Sequence, residues 1–234
     1  MNALIIMTRI PIAGMTKTRL MKILTGEECA RLHRCFLLDL FKMVDELREI
    51  ADIYVTYTPE NSLYLVEDIV PGFIDSFPQE GHELGDRMEN AIQKLLKKGY
   101  SKVILIGSDI PSLQAEDIKK AYDELEGNDI CLGPTNDGGY YLVGMKKSCK
   151  DIFSNDLKWG YKSVFEATVL IANNLGLTVG LTTKLGDIDE KEDIDDFMKR
   201  IRKGKFSGKA LPINTINFIQ NKWGGVTSVK GCIK

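Results

Sequence analysis

Apolar residues along this chain follow two rhythms. The first is a set of short, nearly unbroken runs. Val103 to Ile106 is the purest, four aliphatics in a row closed by Gly107 and Ser108. Such runs suit strands buried on both faces of a parallel sheet. They predict strands over residues 2–8, 51–57, 73–77, 102–107, 129–133, 139–145 and 177–183. The second rhythm is helical. Leu32, Phe36, Leu37, Leu40, Val44 and Leu47 recur at helical spacing within 26–49, and Thr25 with Glu28 forms a capping-box pattern at its start. Further helices are predicted over 62–70, 86–98, 114–126, 161–175 and 190–203, with a short one over 215–222.

Strands alternating with helices predict an α/β fold, a Rossmann-like three-layer αβα sandwich around a mostly parallel sheet with right-handed crossovers. The link between 129–133 and 139–145 is too short for a crossover helix, so the second of these strands runs antiparallel and the sheet is mixed. No repeat or linker divides the chain, which reads as one domain over residues 1–234. The Gly- and Lys-rich stretch from about residue 205 reads as a loosely held tail.

Composition narrows the partners. The chain has 234 residues and a formal net charge of -2. That balance gives no field for nucleic acid, so any anionic ligand must be met by local cations. No apolar stretch approaches the roughly 20 residues of a membrane span. The N-terminal run Met1 to Met7 leads directly into Thr8-Arg9 and reads as a first strand, not a signal peptide. The five cysteines are odd in number and lack CxxC spacing, which fits a reducing cytoplasm. With only His33 and His82 to complement them, a structural zinc site is not expected.

Candidate chemistry gathers where predicted strands end. After the first strand comes Arg9-Ile-Pro-Ile-Ala-Gly-Met-Thr-Lys-Thr-Arg-Leu20. Gly14 lets backbone approach a ligand, and Arg9, Lys17 and Arg19 can neutralise a diphosphate, Arg19 by a bidentate fork. The loop lacks the Gly-Lys-Thr order of a Walker sequence. After the third strand, Gln79 to Met88 carries Gly81, Gly85 and Arg87, a segment suited to a base or ribose; turn chemistry accounts for it equally. At the tip of 102–107 stand Ser108 and Asp109. Asp109 is placed either to cap the following turn or to hold a divalent metal. Asp137-Gly138-Gly139-Tyr140 is strong turn chemistry that also leaves space beside a carboxylate for an acceptor. Asp187 and Asp189, two apart in an extended segment, point the same way and either complete a metal site or cap helix 190–203. No Ser-His-Asp constellation or dinucleotide fingerprint is present.

Five segments occur together and in order: Pro11-x-x-Gly14-x-x-Lys17-Thr18-Arg19-Leu20, Gln79-x-Gly81-x-x-Leu84-Gly85-x-Arg87-Met88, Gly107-x-Asp109-x-Pro111, Asp137-Gly138-Gly139-Tyr140-Tyr141-Leu142-x-Gly144 and Asp187-x-Asp189-x-x-x-Asp193. Over about residues 2 to 220 the chain resembles the DUF2064 family of glycosyltransferase-A-like proteins, described as candidate nucleotide-diphospho-sugar transferases. The resemblance implies that fold, with Asp109 at the metal-binding position of the DxD motif. Gly107 stands where the motif's other Asp would be. Trp159-Gly160-Tyr161 replaces the family's Trp-Ser/Gly-Thr segment at the acceptor side. Guanylyltransferases acting on phospholactate or molybdopterin share the fold and a similar Asp-Gly-Gly turn.

The resulting expectation is sugar transfer from a nucleotide-diphospho-sugar donor to a small-molecule acceptor. Mg²⁺ or Mn²⁺ at Asp109, with Asp187 or Asp189, would bridge the donor's phosphates, and Lys17 and Arg19 would hold them from the opposite side. Arg9, Gly14, Gln79, Gly85, Arg87 and Ser108 would complete the nucleotide site. Asp137, Gly138, Gly139, Tyr140 and Trp159 would form the acceptor pocket, with Asp137 orienting or deprotonating the acceptor. Two alternatives stand: nucleotidyl transfer from a nucleoside triphosphate to a phosphorylated acceptor, and a non-catalytic nucleotide-binding protein.

Overall fold

A computed structural model describes residues 1–153, 164–203 and 210–223. Seven strands form one sheet: β1 (Asn2–Arg9), β2 (Asp52–Thr58), β3 (Ile74–Pro78), β4 (Lys102–Gly107), β5 (Ile130–Pro134), β6 (Tyr140–Met145) and β7 (Val179–Leu181). Six α-helices accompany them: α1 (Gly26–Val44), α2 (Leu84–Lys97), α3 (Ala115–Gly127), α4 (Val164–Asn174), α5 (Lys191–Arg202) and α6 (Ile213–Trp223). The spatial order is β3-β2-β1-β4-β6-β5-β7. All neighbouring pairs are parallel except those of β6, which is antiparallel to both β4 and β5. The sheet is therefore mixed through one strand, as the short link before it requires.

Strand alternation assigns the two faces. Leu4 and Ile6 of β1 and Ile104 and Ile106 of β4 pack with α1 and α3. Ala3, Ile5, Val103 and Leu105 face the other way, onto α2 and α4. A third cluster lies outside α1, where Leu20, Leu32 and Phe36 meet Ile194 and Phe197 of α5 and Ile216 and Ile219 of α6. Burial of α5 against that outer face carries the preceding loop, residues 187–190, back to the end of β4; the Ile188 amide donates to the Asp109 carbonyl at 3.0 Å.

Four local expectations change. Predicted helix 26–49 ends its α-turns at Val44 and tightens into a 3₁₀ turn over Asp45–Leu47, a common way to close a helix end. Predicted helix 62–70 is instead a 3₁₀ segment, Glu60–Leu65, kinked at Asn61, where the backbone leaves helical angles. The strand expected over 177–183 shortens to Val179–Leu181, which pairs in parallel with only Ile130 to Leu132 of β5. The stretch expected to be loose from about 205 includes α6, which is anchored: buried Asp39 accepts the backbone amides of Asn214 and Thr215 and their side-chain donors, at 2.7 to 3.0 Å. Among the described residues no helix is long and apolar enough to cross a membrane.

Candidate functional site

β1 and β4 are neighbours, yet the chain leaves them toward opposite edges of the sheet, through α1 to β2 on one side and through α3 to β5 on the other. A crevice therefore opens at their carboxyl ends, the place where open α/β sheets bind ligands. The loop after β1 folds over this crevice. Gly14 turns the chain at φ +75°, a conformation that favours glycine, and its backbone nitrogen lies 2.8 Å from where a Cβ on Gly26 would stand, so Gly26 has no room for a side chain. Lys17 is the only non-glycine residue with positive φ among the described residues, at φ 50° and ψ 42°. A left-handed conformation costs an L-residue roughly 1 to 2 kcal/mol. The return is the position of its side chain, which is 4% exposed.

The Lys17 ammonium lies 2.8 Å from Asp109 Oδ2 and 2.8 Å from Asp189 Oδ1, and donates to the Ile188 carbonyl at 2.7 Å. Arg19 reaches the other oxygen of Asp189 at 3.1 Å. Burial alone would lower the lysine's proton affinity; the two carboxylates outweigh it and hold the pKa above the ordinary value. Burial likewise opposes charge on Asp109, and the ammonium outweighs it, so that carboxyl is held below its usual range. The result is a fixed cation between two fixed anions at the rim of the crevice.

Beneath this rim is a polar network that the sequence motifs did not reveal. His33, on α1 and 2% exposed, has Nδ1 against the Thr16 hydroxyl and Nε2 at 3.2 Å from Thr8 Oγ1 and 3.1 Å from Ser108 Oγ. Ser108 Oγ is in turn 3.3 Å from Asp109 Oδ1. Burial, first, and then the charges of Lys17 and Arg9 push the imidazole down to about 4 against the pull of Asp109, so the ring is neutral near pH 7. His33 follows Leu32 on a helix whose apolar periodicity reads as core, and only the meeting of residues 8, 16, 33 and 108 gives it a role.

Two cavities meet at this point. One of about 420 Å³ is bordered by Lys17, Arg19, Asp109 and Asp189 on its charged side and by Leu84, Met88, Leu105 and Val143 elsewhere. Arg9, Gln79, Arg87 and Ser108 also border it. The Gln79 amide nitrogen donates to the carbonyls of Thr8 and Thr56 at 2.9 and 3.2 Å, which spans the ends of β1 and β2. Arg87 is braced on the carbonyls of Gly81 and His82. The second cavity, about 210 Å³, is bordered by Asp109, Asp137, Gly139, Tyr140 and Asp187. Asp137 accepts the Thr135 hydroxyl and the Gly139 amide, so its carboxylate is fixed by its own turn. Gly138 sits at φ +93°, the glycine conformation that this turn needs.

Most expected site residues thus converge, with some departures; Gly138 borders neither cavity. Gly14 and Gly85 shape backbone away from the cavity wall: Gly14 at the loop turn, Gly85 buried in the first turn of α2. Trp159 lies outside the described residues. Asp187 and Asp189 do not act as a pair. Asp189 joins Lys17 and Arg19, whereas Asp187 faces the second cavity beside Asp137. The separation arises because Asp193 caps α5 by accepting the amides of Asp189 and Glu190, which turns the chain between the two carboxylates.

The donor set can be tested against a divalent cation. Among the described residues no group of three His, Cys, Asp or Glu side chains closes on one point. Mg²⁺ is commonly held by only one or two carboxylates together with substrate phosphates. Asp109 and Asp187 border one cavity, and burial, followed by the charges of Asp137 and Asp189, pushes the Asp187 carboxyl up to about 6. An excess of carboxylate facing a shared space fits a cation that arrives with a phosphorylated ligand.

A crystal structure from Desulfovibrio desulfuricans G20, of a candidate nucleotide-diphospho-sugar transferase, superposes with a TM-score of 0.81 at 30% identity, covering 94% of this chain and 97% of that one. A 2-phospho-L-lactate guanylyltransferase from Methanobrevibacter ruminantium is 24% identical over 187 residues, 74% of this chain and 79% of its own. A 4-diphosphocytidyl-2C-methyl-D-erythritol synthase from Anaerococcus prevotii, at 14% identity and a TM-score of 0.57, shares the fold over 86% of this chain and 96% of its own. The profile of DUF2064, an uncharacterized protein conserved in bacteria, matches residues 44–161. On that match and on the 30% identity across nearly the whole chain, this protein belongs to the DUF2064 family.

Proposed function

We propose that the protein is a transferase that takes its transferred group from a nucleotide, and that the group is a nucleotidyl unit. The observation that carries this reading is the loop after β1, which sets Lys17 on the single carboxylate at the β4 tip and Arg19 beside it on Asp189. In sugar transfer by a DxD motif, a metal held by two carboxylates on that strand neutralises the leaving diphosphate. Here the other position is Gly107, although a Cβ there would meet nothing closer than the Tyr141 carbonyl at 4.0 Å. There is space for the residue, and the chain supplies loop cations instead. Two cations facing the crevice suit a triphosphate, whose charge rises on the pyrophosphate as it leaves.

In this reading the base and ribose occupy the 420 Å³ cavity, with Gln79 and Arg87 at its wall. The acceptor enters through the 210 Å³ cavity, where Asp137 orients it. An acceptor oxygen attacks the α-phosphorus; the new P–O bond forms as the bond to the β-phosphate oxygen breaks, and pyrophosphate departs with the electron pair. Lys17 and Arg19 stabilise that departing charge. Mg²⁺ or Mn²⁺, held by Asp109 and Asp187 with the donor's phosphates, would neutralise the same phosphates. The guanylyltransferase relative supports a phosphorylated hydroxy acid as acceptor. The second reading, sugar transfer, is supported by the relative at 30% identity.

The test is product analysis. The protein is incubated with Mg²⁺, each nucleoside triphosphate or nucleotide sugar, and a set of phosphorylated hydroxy acids. Nucleotidyl transfer yields pyrophosphate, and Asp109→Asn lowers its rate about a hundredfold or more. Release of nucleoside diphosphate from a nucleotide sugar selects sugar transfer, and nucleotide binding without either product selects the non-catalytic reading.

A further inference from the structure

Thr16, His33, Ser108 and Asp109 form one chain of contacts from the loop that carries Lys17 to the carboxylate at the β4 tip, and the hydroxyls' acceptors on Arg9 and Asp109 suggest an arrangement of its protons. A carboxylate only accepts, so Ser108, at 3.3 Å, donates to Asp109 Oδ1. The Thr8 hydroxyl donates to the Arg9 carbonyl at 3.0 Å. The two hydroxyls also lie 3.0 Å apart, and with their protons on Arg9 and Asp109 both oxygens accept from His33 Nε2, at 3.1 and 3.2 Å. In this arrangement Nε2 carries the ring proton and Nδ1 accepts the Thr16 hydroxyl. Every bond in the sequence Thr16 to His33 to Ser108 to Asp109 runs in one direction. Turning the Ser108 hydroxyl toward Thr8, 3.0 Å away, or toward the ring would take its proton from Asp109 Oδ1.

We propose that His33 is a positioning residue for the transfer site: acting through Ser108 it fixes the orientation of the Asp109 carboxylate, and through Thr16 it locks that carboxylate to the Lys17 loop. The inference rests on the transferase reading and adds to it a residue of the inner wall of the 420 Å³ cavity that acts through Ser108 and Thr16. Its physical content is registration. Asp109 is 40% exposed on its side chain, so the surrounding core alone does not hold its rotamer. The cation loop and the strand tip are far apart in sequence, and Thr16 and Ser108 are both buried and both bonded to one ring. Beside the direct Lys17–Asp109 contact at 2.8 Å, the imidazole thus ties the backbone that carries the cation to the strand tip that carries the anion, in a common frame. Misplacement of about 1 Å at such a frame costs about a hundredfold in rate.

The experiment compares wild type with His33→Leu, which keeps an apolar filler, and His33→Gln, which restores a donor toward Ser108. Pyrophosphate release is followed with the nucleoside triphosphate that wild type turns over, together with ¹⁵N NMR of the ring in wild type. The expected results are a ring protonated on Nε2, a kcat at least tenfold lower in His33→Leu with KM for the triphosphate changed less than threefold, and recovery of most of that kcat in His33→Gln. Should His33→Leu fail to fold, Ser108→Ala carries the same expectation, since it cuts the link while leaving the ring in place. A folded Leu variant with wild-type kcat, equal losses in Leu and Gln, or a ring protonated on Nδ1 overturns the inference alone. Wild type that releases no pyrophosphate and binds no triphosphate overturns the transferase reading and this inference with it.

Discussion

At the scale of single residues the site is a set of charges whose values depend on burial. Lys17 is held in a left-handed conformation to place one ammonium between two aspartates. His33 is the opposite case, a base kept neutral by burial. That has a pH consequence. Its pKa is about 4 in the folded protein and near 6.5 when exposed. Between those values the unfolded chain binds more protons than the folded one, so stability rises with pH across the window. The contribution is complete above about pH 6.5 and is lost as the pH falls toward 4, to an upper bound of about 3 kcal/mol. Denaturant melts from pH 4 to 7 are expected to show this slope and His33→Leu a shallower one. Equal slopes for the two proteins would show that the ring does not titrate as its burial implies. At this scale the sequence was readable for residues that announce themselves beside turns. Lys17, Arg19, Asp109 and Asp137 follow strands, and position alone marks them. His33 was not readable, because its helix shows only a core stripe and its partners come from three other segments. Nor was the parting of Asp187 from Asp189, which depends on the Asp193 cap.

Elements set where those residues meet. The antiparallel strand β6 was legible because a link of a few residues excludes a crossover, and its Tyr140 and Tyr141 border the second cavity. Gly133 on β5 is explained only by packing: a Cβ there would stand 2.7 Å from the Tyr141 ring, whose hydroxyl donates to the Thr183 carbonyl. The helix α6 was legible as a helix but not as a docked one. Its first turn is satisfied by Asp39, a buried carboxylate on α1 that accepts four bonds from Asn214 and Thr215. Asp39→Ala leaves those donors without partners and is expected to destabilise the protein by about 2 to 4 kcal/mol. It should also speed amide exchange in α6 well beyond that in β4. Unchanged exchange in α6 would mean that the contacts of Ile216 and Ile219 hold the helix without its cap. The two 3₁₀ segments escaped the sequence because their apolar spacing matches an α-helix over so short a span.

For the whole molecule, the alternation of strands and helices was enough for the layered architecture, since each strand run is apolar throughout and each helix carries one apolar stripe. Strand order was not available from the same pattern. The adjacency of β1 and β4, whose connections lead to opposite edges of the sheet, creates the crevice and turns separate motifs into one site. The outer cluster of α1, α5 and α6 does comparable work at longer range, because it returns residues 187–190 to the β4 tip and so delivers Asp189 to Lys17. Fold relatives show how widely this frame is used, and chemistry must be argued from the side chains within it. The central claim is that a nucleotide's phosphates bind at the Lys17 ammonium in this crevice. Titration calorimetry of nucleoside triphosphates with Mg²⁺ against wild type and Lys17→Met tests it most directly. The account predicts saturable binding of at least one triphosphate to wild type and a loss of about tenfold or more in Lys17→Met, the scale of one charge-assisted contact. Equal affinity of the two proteins, or no binding of any triphosphate to wild type, would contradict it.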